Sequence, residues 1–185
     1  IEPLGHETQP PSRYTEASLV KTLEEEGIGR PSTYASIIDT IQKRGYVRKK
    51  GSSLVPTFTA FATNNLLEAQ FDTLVDVHFT AEMEKALDEI ARGSKDPDPY
   101  LRDFYFGDEG IEPRVEEGLD KIDGREISEI DFPKQWGDYV VRVGKYGPYV
   151  EGPMNDTTVT AALPDDLAPG DTTEEKLKEI LEEAN

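Results

Sequence analysis

Apolar residues recur at helical spacing through the first half of the chain and tend to alternate in parts of the second. Ala17, Leu19, Val20 and Leu23 follow Thr15, which suits a helix N-cap with Glu16 in the first turn, and Gly27 closes the segment, so the pattern predicts a helix over 15–26. Past the short Gly27-Ile28-Gly29 turn, Pro31 suits a first helical turn, and Tyr34, Ile37, Ile38 and Ile41 form a stripe that runs to Gly45; a second helix is predicted over 31–44. Tyr46-Val47-Arg48-Lys49-Lys50 and Leu54-Val55-Pro56-Thr57-Phe58 flank Gly51-Ser52-Ser53, the pattern of a short hairpin with a basic tip. Phe58, Phe61, Leu66 and Leu67 belong to a third helix ending near Phe71. Thr80 caps a fourth, with apolar residues at 83, 87 and 90. Asp96-Pro97-Asp98-Pro99 reads as a loop, followed by a short aromatic helix over 100–106 before Gly107.

From 108 to 138 the chain is charged and turn-rich, anchored by Ile122, Ile127 and Ile130, while Phe132 and Trp136 read as packing residues. Residues 139–144 and 149–151 read as two strands around Lys145-Tyr146-Gly147-Pro148, and 157–161 as a third. A proline-punctuated connection over 163–171 leads to Thr172, which caps a last helix whose Leu177, Ile180 and Leu181 face a sheet. The expected fold class is α+β. Residues 1–107 form a mostly helical, winged-helix-like segment, and residues 108–185 a small domain of antiparallel sheet plus one helix. Helix, tight turn, helix and hairpin wing is an order that can set its second helix against nucleic acid.

Charge sharpens this picture. The chain holds 20 Lys+Arg against 38 Asp+Glu, a net charge of -18, which as a whole-chain value argues against a nucleic-acid binder. Its distribution points the other way: 28–51 carries six basic residues and one acid, Asp39, whereas the last 35 residues hold two lysines and ten acids. With no Cys and only His6 and His78, neither a disulfide framework nor a Cys- or His-based metal site is expected. No apolar run approaches a membrane span, and residues 1–12, with prolines at 3, 10 and 11, read as an extended arm rather than a signal peptide. A cytoplasmic protein is expected. The start at Ile1 is read as that of a piece of something longer.

Candidate chemistry centres on 27–47. Unpaired N–H groups and the positive dipole end of a helix favour an anion, and Arg30 beside them adds a forked donor. Arg30 is either a solvent-facing turn residue or a DNA phosphate contact; Arg44 is either a helix-end charge or a second contact. Ser32 and Thr33 suit capping of the second helix, a job compatible with donation to phosphate. Arg48, with Lys49 and Lys50, is a solvated wing tip or a non-specific phosphate patch. Tyr146 and Tyr149 pack the tail hairpin or stack on bases. Arg13 and Tyr14 read as braces of the first helix, and Glu82 and Glu84 as a solvated face.

Three stretches are more specific. Arg13-Tyr14-Thr15-Glu16-Ala17-Ser18-Leu19-Val20, then Gly27-Ile28-Gly29-Arg30-Pro31-Ser32-Thr33-Tyr34-Ala35-Ser36-Ile37-Ile38, then Arg44-Gly45-Tyr46-Val47 closely resemble the type IA DNA topoisomerases in their bacterial form. Phe79-Thr80-Ala81-Glu82-Met83-Glu84 resembles them too, and Val143-Gly144-Lys145-Tyr146-Gly147-Pro148-Tyr149-Val150 looks like the first of their C-terminal repeats. Phe104-Tyr105-Phe106-Gly107 and the lack of cysteine are similar to the zinc-free, actinobacterial kind of tail. The resemblance implies an ATP-independent isomerase that relaxes negatively supercoiled DNA: a tyrosine forms a 5′-phosphotyrosyl link and an acidic domain binds Mg2+. None of the eight tyrosines lies in the family's Tyr-x-Arg-Thr-Asp-Ser context, and the acidic metal-binding cluster is missing as well. The implied piece is therefore the C-terminal part of the DNA-gripping domain (1–107) and a first tail repeat (108–185). It has no catalytic or metal residue of its own and is inactive alone. The resemblance assigns DNA contacts to the positions of Arg30 and Arg44 and single-strand binding to aromatics such as Tyr146 and Tyr149. Its partners would be single-stranded DNA segments and the rest of the same polypeptide, in the cytoplasm at the nucleoid. Two other classes stay open: an independent winged-helix DNA-binding regulator that reads duplex DNA, and a protein-interaction module built on the acidic tail.

Overall fold

A computed structural model describes residues 11–119, 121–130, 136–155 and 157–184. The arm before Pro11, with His6, and Phe132 lie outside the described residues. Helix α1 (Glu16–Glu25) starts at a reciprocal cap: Thr15 Oγ1 accepts from the Ser18 N–H at 3.1 Å and Ser18 Oγ accepts from the Thr15 N–H at 2.8 Å. It ends where Gly27 takes φ 73°, so that Gly27 N–H and Ile28 N–H close onto the carbonyls of Glu24 and Leu23. Helix α2 (Tyr34–Lys43) ends the same way at Gly45, φ 71°. Its first helical residue lies three positions past the expected Pro31, because 31–33 form a turn over the Arg30 carbonyl.

Strands β1 (Val47–Lys50) and β2 (Ser53–Pro56) pair antiparallel, Lys50 opposite Ser53, across Gly51-Ser52. Thr15 bridges to Ser53, and the Leu54 N–H donates to the Tyr14 carbonyl at 2.7 Å, so the entry to α1 lies along β2. Thr57 then joins three elements. Its hydroxyl donates to the Gly45 carbonyl at 2.7 Å and accepts from the Ala60 N–H, capping α3 (Phe58–Gln70) while tying it to the end of α2.

Five helices follow, and several differ from expectation. After the short α4 (Asp72–Val75), α5 (Val77–Ala91) begins before Thr80, because the Asp76 carboxylate accepts from the Phe79 N–H at 2.6 Å and takes the cap. Helix α6 (Pro97–Phe106) includes the stretch expected as a loop: Asp96 is the cap and Pro97 occupies the first turn, where its missing N–H costs nothing. Helices α7 (Ile111–Leu119) and α8 (Gly124–Ile127) replace much of the expected turn-rich region.

Strands β3 (Val140–Gly144), β4 (Gly147–Met154) and β5 (Thr157–Ala162) form an antiparallel sheet in chain order. A short 3-10 turn (Pro169–Asp171) precedes α9 (Glu174–Ala184). The cap of α9 is Thr173, whose hydroxyl accepts from the Lys176 N–H, rather than Thr172, which is buried and donates to the Ala168 carbonyl at 2.9 Å. Leu177 and Leu181 of α9 join Val141, Val150, Ala161, Trp136 and Ile130 in the main core, and so does Phe58 at the start of α3. The fold is α+β, with two small antiparallel sheets, and its largest core draws on both halves of the chain.

Candidate nucleic-acid interface

The turn between α1 and α2 is built on glycine and closed by α5. Gly29 has φ 74°, and its N–H donates to Glu84 Oε1 at 3.0 Å. Ala81, Glu84 and Asp88 are spaced three and four residues apart on α5 and so share a face. That face lies against the turn: a Cβ placed on Gly27 would sit 3.7 Å from Ala81 Cβ. Glu84 is therefore engaged with the turn, a correction to its reading as a solvated face, while Glu82 is exposed and paired with Lys85.

Arg30 is folded into this arrangement. Its Nη1 donates to the Gly29 carbonyl at 2.5 Å and the Gly27 carbonyl at 3.3 Å, and its Nη2 to Asp88 Oδ2 at 2.8 Å; Glu84 Oε2 is 3.8 Å from Nη1. The side chain stays 34% exposed. The hydrogen bond to Asp88 is the main reason the Arg30 guanidinium is held charged above its ordinary range, and the same bond holds the Asp88 carboxyl below its own. Thr33 closes the turn from the other side. Its hydroxyl accepts from the Arg30 N–H at 2.8 Å and donates to the Arg30 carbonyl at 3.0 Å. Thr33 is thus a turn-former; its side chain makes no cap bond to α2. Ser32 is exposed at the apex, and its hydroxyl has no partner among the described residues.

Arg44 stands at the other end of α2, about 15 Å away for a helix of this length. It is exposed, with no hydrogen-bond or ion-pair partner for its guanidinium among the described residues. The hairpin differs. Alternation along β1 sends Arg48 and Lys50 to one side and Lys49 to the other. Arg48 Nη2 donates to the Leu167 carbonyl at 3.1 Å, with Nε buried and unpartnered; Lys50 meets Asp171 at 3.1 Å; Lys49 meets Glu16 at 2.7 Å. The basic tip is thus turned into contacts with α1 and the segment before α9.

The two tail tyrosines part company. Tyr146 is 94% exposed at the tip of the β3–β4 hairpin, with Lys145 Nζ 5.5 Å from its ring. Tyr149 is half-buried opposite Arg142, and its ring lies over Gly144, where an added Cβ would meet Cε1 at 3.1 Å. Arg142 beside it is buried and holds Glu129, Glu151 and the Arg125 carbonyl. Sequence reasoning missed Asp88 and Arg142. No motif marks them, and only the i, i+4 spacing of Glu84 and Asp88 hinted at a shared face.

The family model described as DNA topoisomerase matches residues 1–102, more than half of the 185. The chain belongs to the DNA topoisomerase family. It is similar to DNA topoisomerase 1 of Synechocystis, 50% identical over 183 residues that cover 99% of this chain and 20% of that protein. It is also similar to DNA topoisomerase 1 of Mycobacterium tuberculosis, 48% identical over 199 residues, covering 98% of this chain and 21% of that protein. Among solved structures, full-length topoisomerase I from Thermotoga maritima superposes with a TM-score of 0.67 at 37% identity, covering 87% of this chain and 26% of that one. The chain thus spans about one fifth of the length of these curated relatives.

Proposed function

We propose that this chain is the strand-gripping part of a bacterial DNA topoisomerase I. The parent polypeptide, an ATP-independent type IA enzyme acting in the cytoplasm at the nucleoid, would relax negatively supercoiled DNA by cutting one strand, passing another and resealing. The observation that carries this reading is the Gly27–Tyr34 turn with Arg30 and Thr33 at one end of α2 and the unpartnered Arg44 at the other, in a chain about half identical to proteins named DNA topoisomerase 1. Arg30 and Arg44 bind separate phosphates of a single strand at the two ends of α2, Ser32 donates from the turn apex, and Thr33 holds the turn that presents Arg30. The wing reading is supported by the order α1, α2, β1, β2 and the Thr15–Ser53 bridge. Because Arg48 is held by Leu167, the grip runs along α2 rather than over the wing tip. Residues 108–185 serve as the first tail repeat, where Tyr146 offers a free ring for base stacking and Tyr149 backs the hairpin.

Chemistry is assigned to the rest of the parent. Among the described residues no three His, Cys, Asp or Glu converge as a metal cluster of that size would need. Likewise, among the described residues no helix is long and apolar enough to cross a membrane.

Titrating the 185-residue chain into a labelled single-stranded oligonucleotide tests the grip. Arg44→Ala is expected to weaken binding about tenfold at low salt, as for loss of a charged hydrogen bond, and to reduce the slope of log K against log salt by about 0.7, as for one lost single-strand phosphate. Wild-type affinity and slope in that variant would remove Arg44 from the site, and preference for one duplex sequence would favour a duplex-reading regulator instead.

A further inference from the structure

Glu84 and Asp88 stand one helical turn apart on α5 and touch the Arg30 turn at both of its critical points. Glu84 accepts the N–H of Gly29, the residue that must hold a left-handed conformation for the turn to form. Asp88 accepts from Nη2 at the far end of the Arg30 side chain. The backbone and the guanidinium are therefore fixed by the same helix face, from a segment more than fifty residues away in sequence. We propose that Glu84 and Asp88 are positioning residues for strand binding: they hold the Gly27–Arg30 turn and aim the guanidinium at a backbone phosphate.

This inference rests on the phosphate role assigned to Arg30 above. The Asp88 pairing and the phosphate role coexist because the guanidinium is not saturated. A guanidinium has five N–H donors. Nη1 is taken up by the carbonyls of Gly29 and Gly27, and one hydrogen of Nη2 by Asp88. The Nε–H and the second Nη2 hydrogen meet no acceptor among the described residues, which leaves two donors for phosphate. A long side chain on an exposed turn would otherwise lose its rotamer freedom at the moment of binding; here that ordering precedes the ligand. The opposite arrangement, in which the carboxylates compete with phosphate and must be displaced, makes the opposite prediction for their removal.

The test measures affinity of the full 185-residue chain for a fluorescein-labelled single-stranded oligonucleotide by anisotropy at low salt. Arg30→Ala is expected to weaken binding about tenfold, as for a lost charged hydrogen bond. Asp88→Ala is expected to weaken it about three- to fivefold, the scale of an exposed charge pair. Asp88→Asn keeps an acceptor oxygen for Nη2 and is expected to return to within about twofold of wild type. In the Arg30→Ala background, Asp88→Ala is expected to add nothing, an outcome that a general structural role for Asp88 would not produce. The Asp88 side chain is 43% exposed in the last turn of α5, where alanine is well tolerated, and a melting curve verifies the fold. Asp88→Ser, equally too short to reach Nη2, repeats the measurement with a polar side chain. Tighter or unchanged binding by Asp88→Ala, or an equal loss in the Arg30→Ala background, overturns the positioning role while leaving the Arg30 contact in place. Unchanged binding by Arg30→Ala removes the phosphate contact itself, and the inference falls with it.

Discussion

Gly29 shows how narrowly the phosphate turn is specified. Its φ is 74°, and a Cβ there would stand 3.1 Å from Ile37 Cδ1 and Tyr34 Cε1 and 3.2 Å from Thr33 Oγ1. Gly45 shares the left-handed conformation, φ 71°, but a Cβ there would meet nothing within 4 Å. Gly45→Ala is therefore expected to cost only the left-handed penalty, about 1–2 kcal/mol. Gly29→Ala adds crowding against α2, at least about 1 kcal/mol more, and both are read by urea denaturation. Equal costs would mean that the Tyr34 and Ile37 side chains yield freely. Both glycines and Arg30 were legible in the sequence, because glycine at a helix end and arginine beside a helix start are local signals. The partners of Arg30 were not. Glu84 and Asp88 become neighbours only when α5 packs on the turn, a contact that no local pattern encodes. The contact of Arg48 is of the same kind: a basic strand residue reads as solvated or phosphate-binding, and only the packed fold places the Leu167 carbonyl over it.

Among the elements, α3 has a structural consequence out of proportion to its amphipathicity. Its first residue, Phe58, is 1% exposed and lies 6.3 Å from the Trp136 ring, inside the core of the three-stranded sheet, while the preceding Thr57 is bonded to the end of α2. Phe58→Ala is expected to cost about 3–5 kcal/mol, the usual toll of a large buried aromatic. Because the side chain belongs to the shared core, Trp136 fluorescence and helical circular dichroism should lose stability together; loss confined to one signal would mean that the two halves fold apart. The helices and strands with strong periodicity, α1, α2, α3 and the β3–β4–β5 sheet, were legible as elements. Their starts were less so. Where Asp76 and Thr80, or Thr172 and Thr173, both offer a capping oxygen, the backbone geometry alone selects one. Helix α6 was hidden because Asp-Pro-Asp-Pro also spells a turn, and α7 because its charged sequence carries few apolar residues to reveal a period.

For the whole molecule, the net charge of -18 is distributed so that the basic hairpin and the acidic tail meet. Lys50 pairs with Asp171 at 3.1 Å, and Arg48 bonds the Leu167 carbonyl on the same side of β1. The hydrogen bond from Lys50 is the main cause that lowers the Asp171 carboxyl below its ordinary 3.8, with Arg13 and Lys176 adding attraction. A carboxyl depressed by folding contributes stability in full above its unfolded value and loses it as pH falls through the lower folded value. Asp171 is largely open to water, so its contribution is capped at about 1 kcal/mol, or about 2–4 °C in Tm for a chain of this size. Asp171→Asn, which keeps the shape and an acceptor oxygen, is therefore expected to melt slightly below wild type at pH 7 and pH 5. The gap should begin to shrink as pH falls past 3.8 and close only below the depressed folded value, where both proteins carry a neutral group at this position, and it should shrink at neutral pH when added salt screens the pair. Acid also reduces the self-repulsion of this chain, but it does so in both proteins and leaves their difference untouched. A gap that stays unchanged as pH is lowered from 5 through the acid range would mean that Asp171 acts through packing, and the hairpin and tail would then be joined chiefly by Arg48 and the shared core.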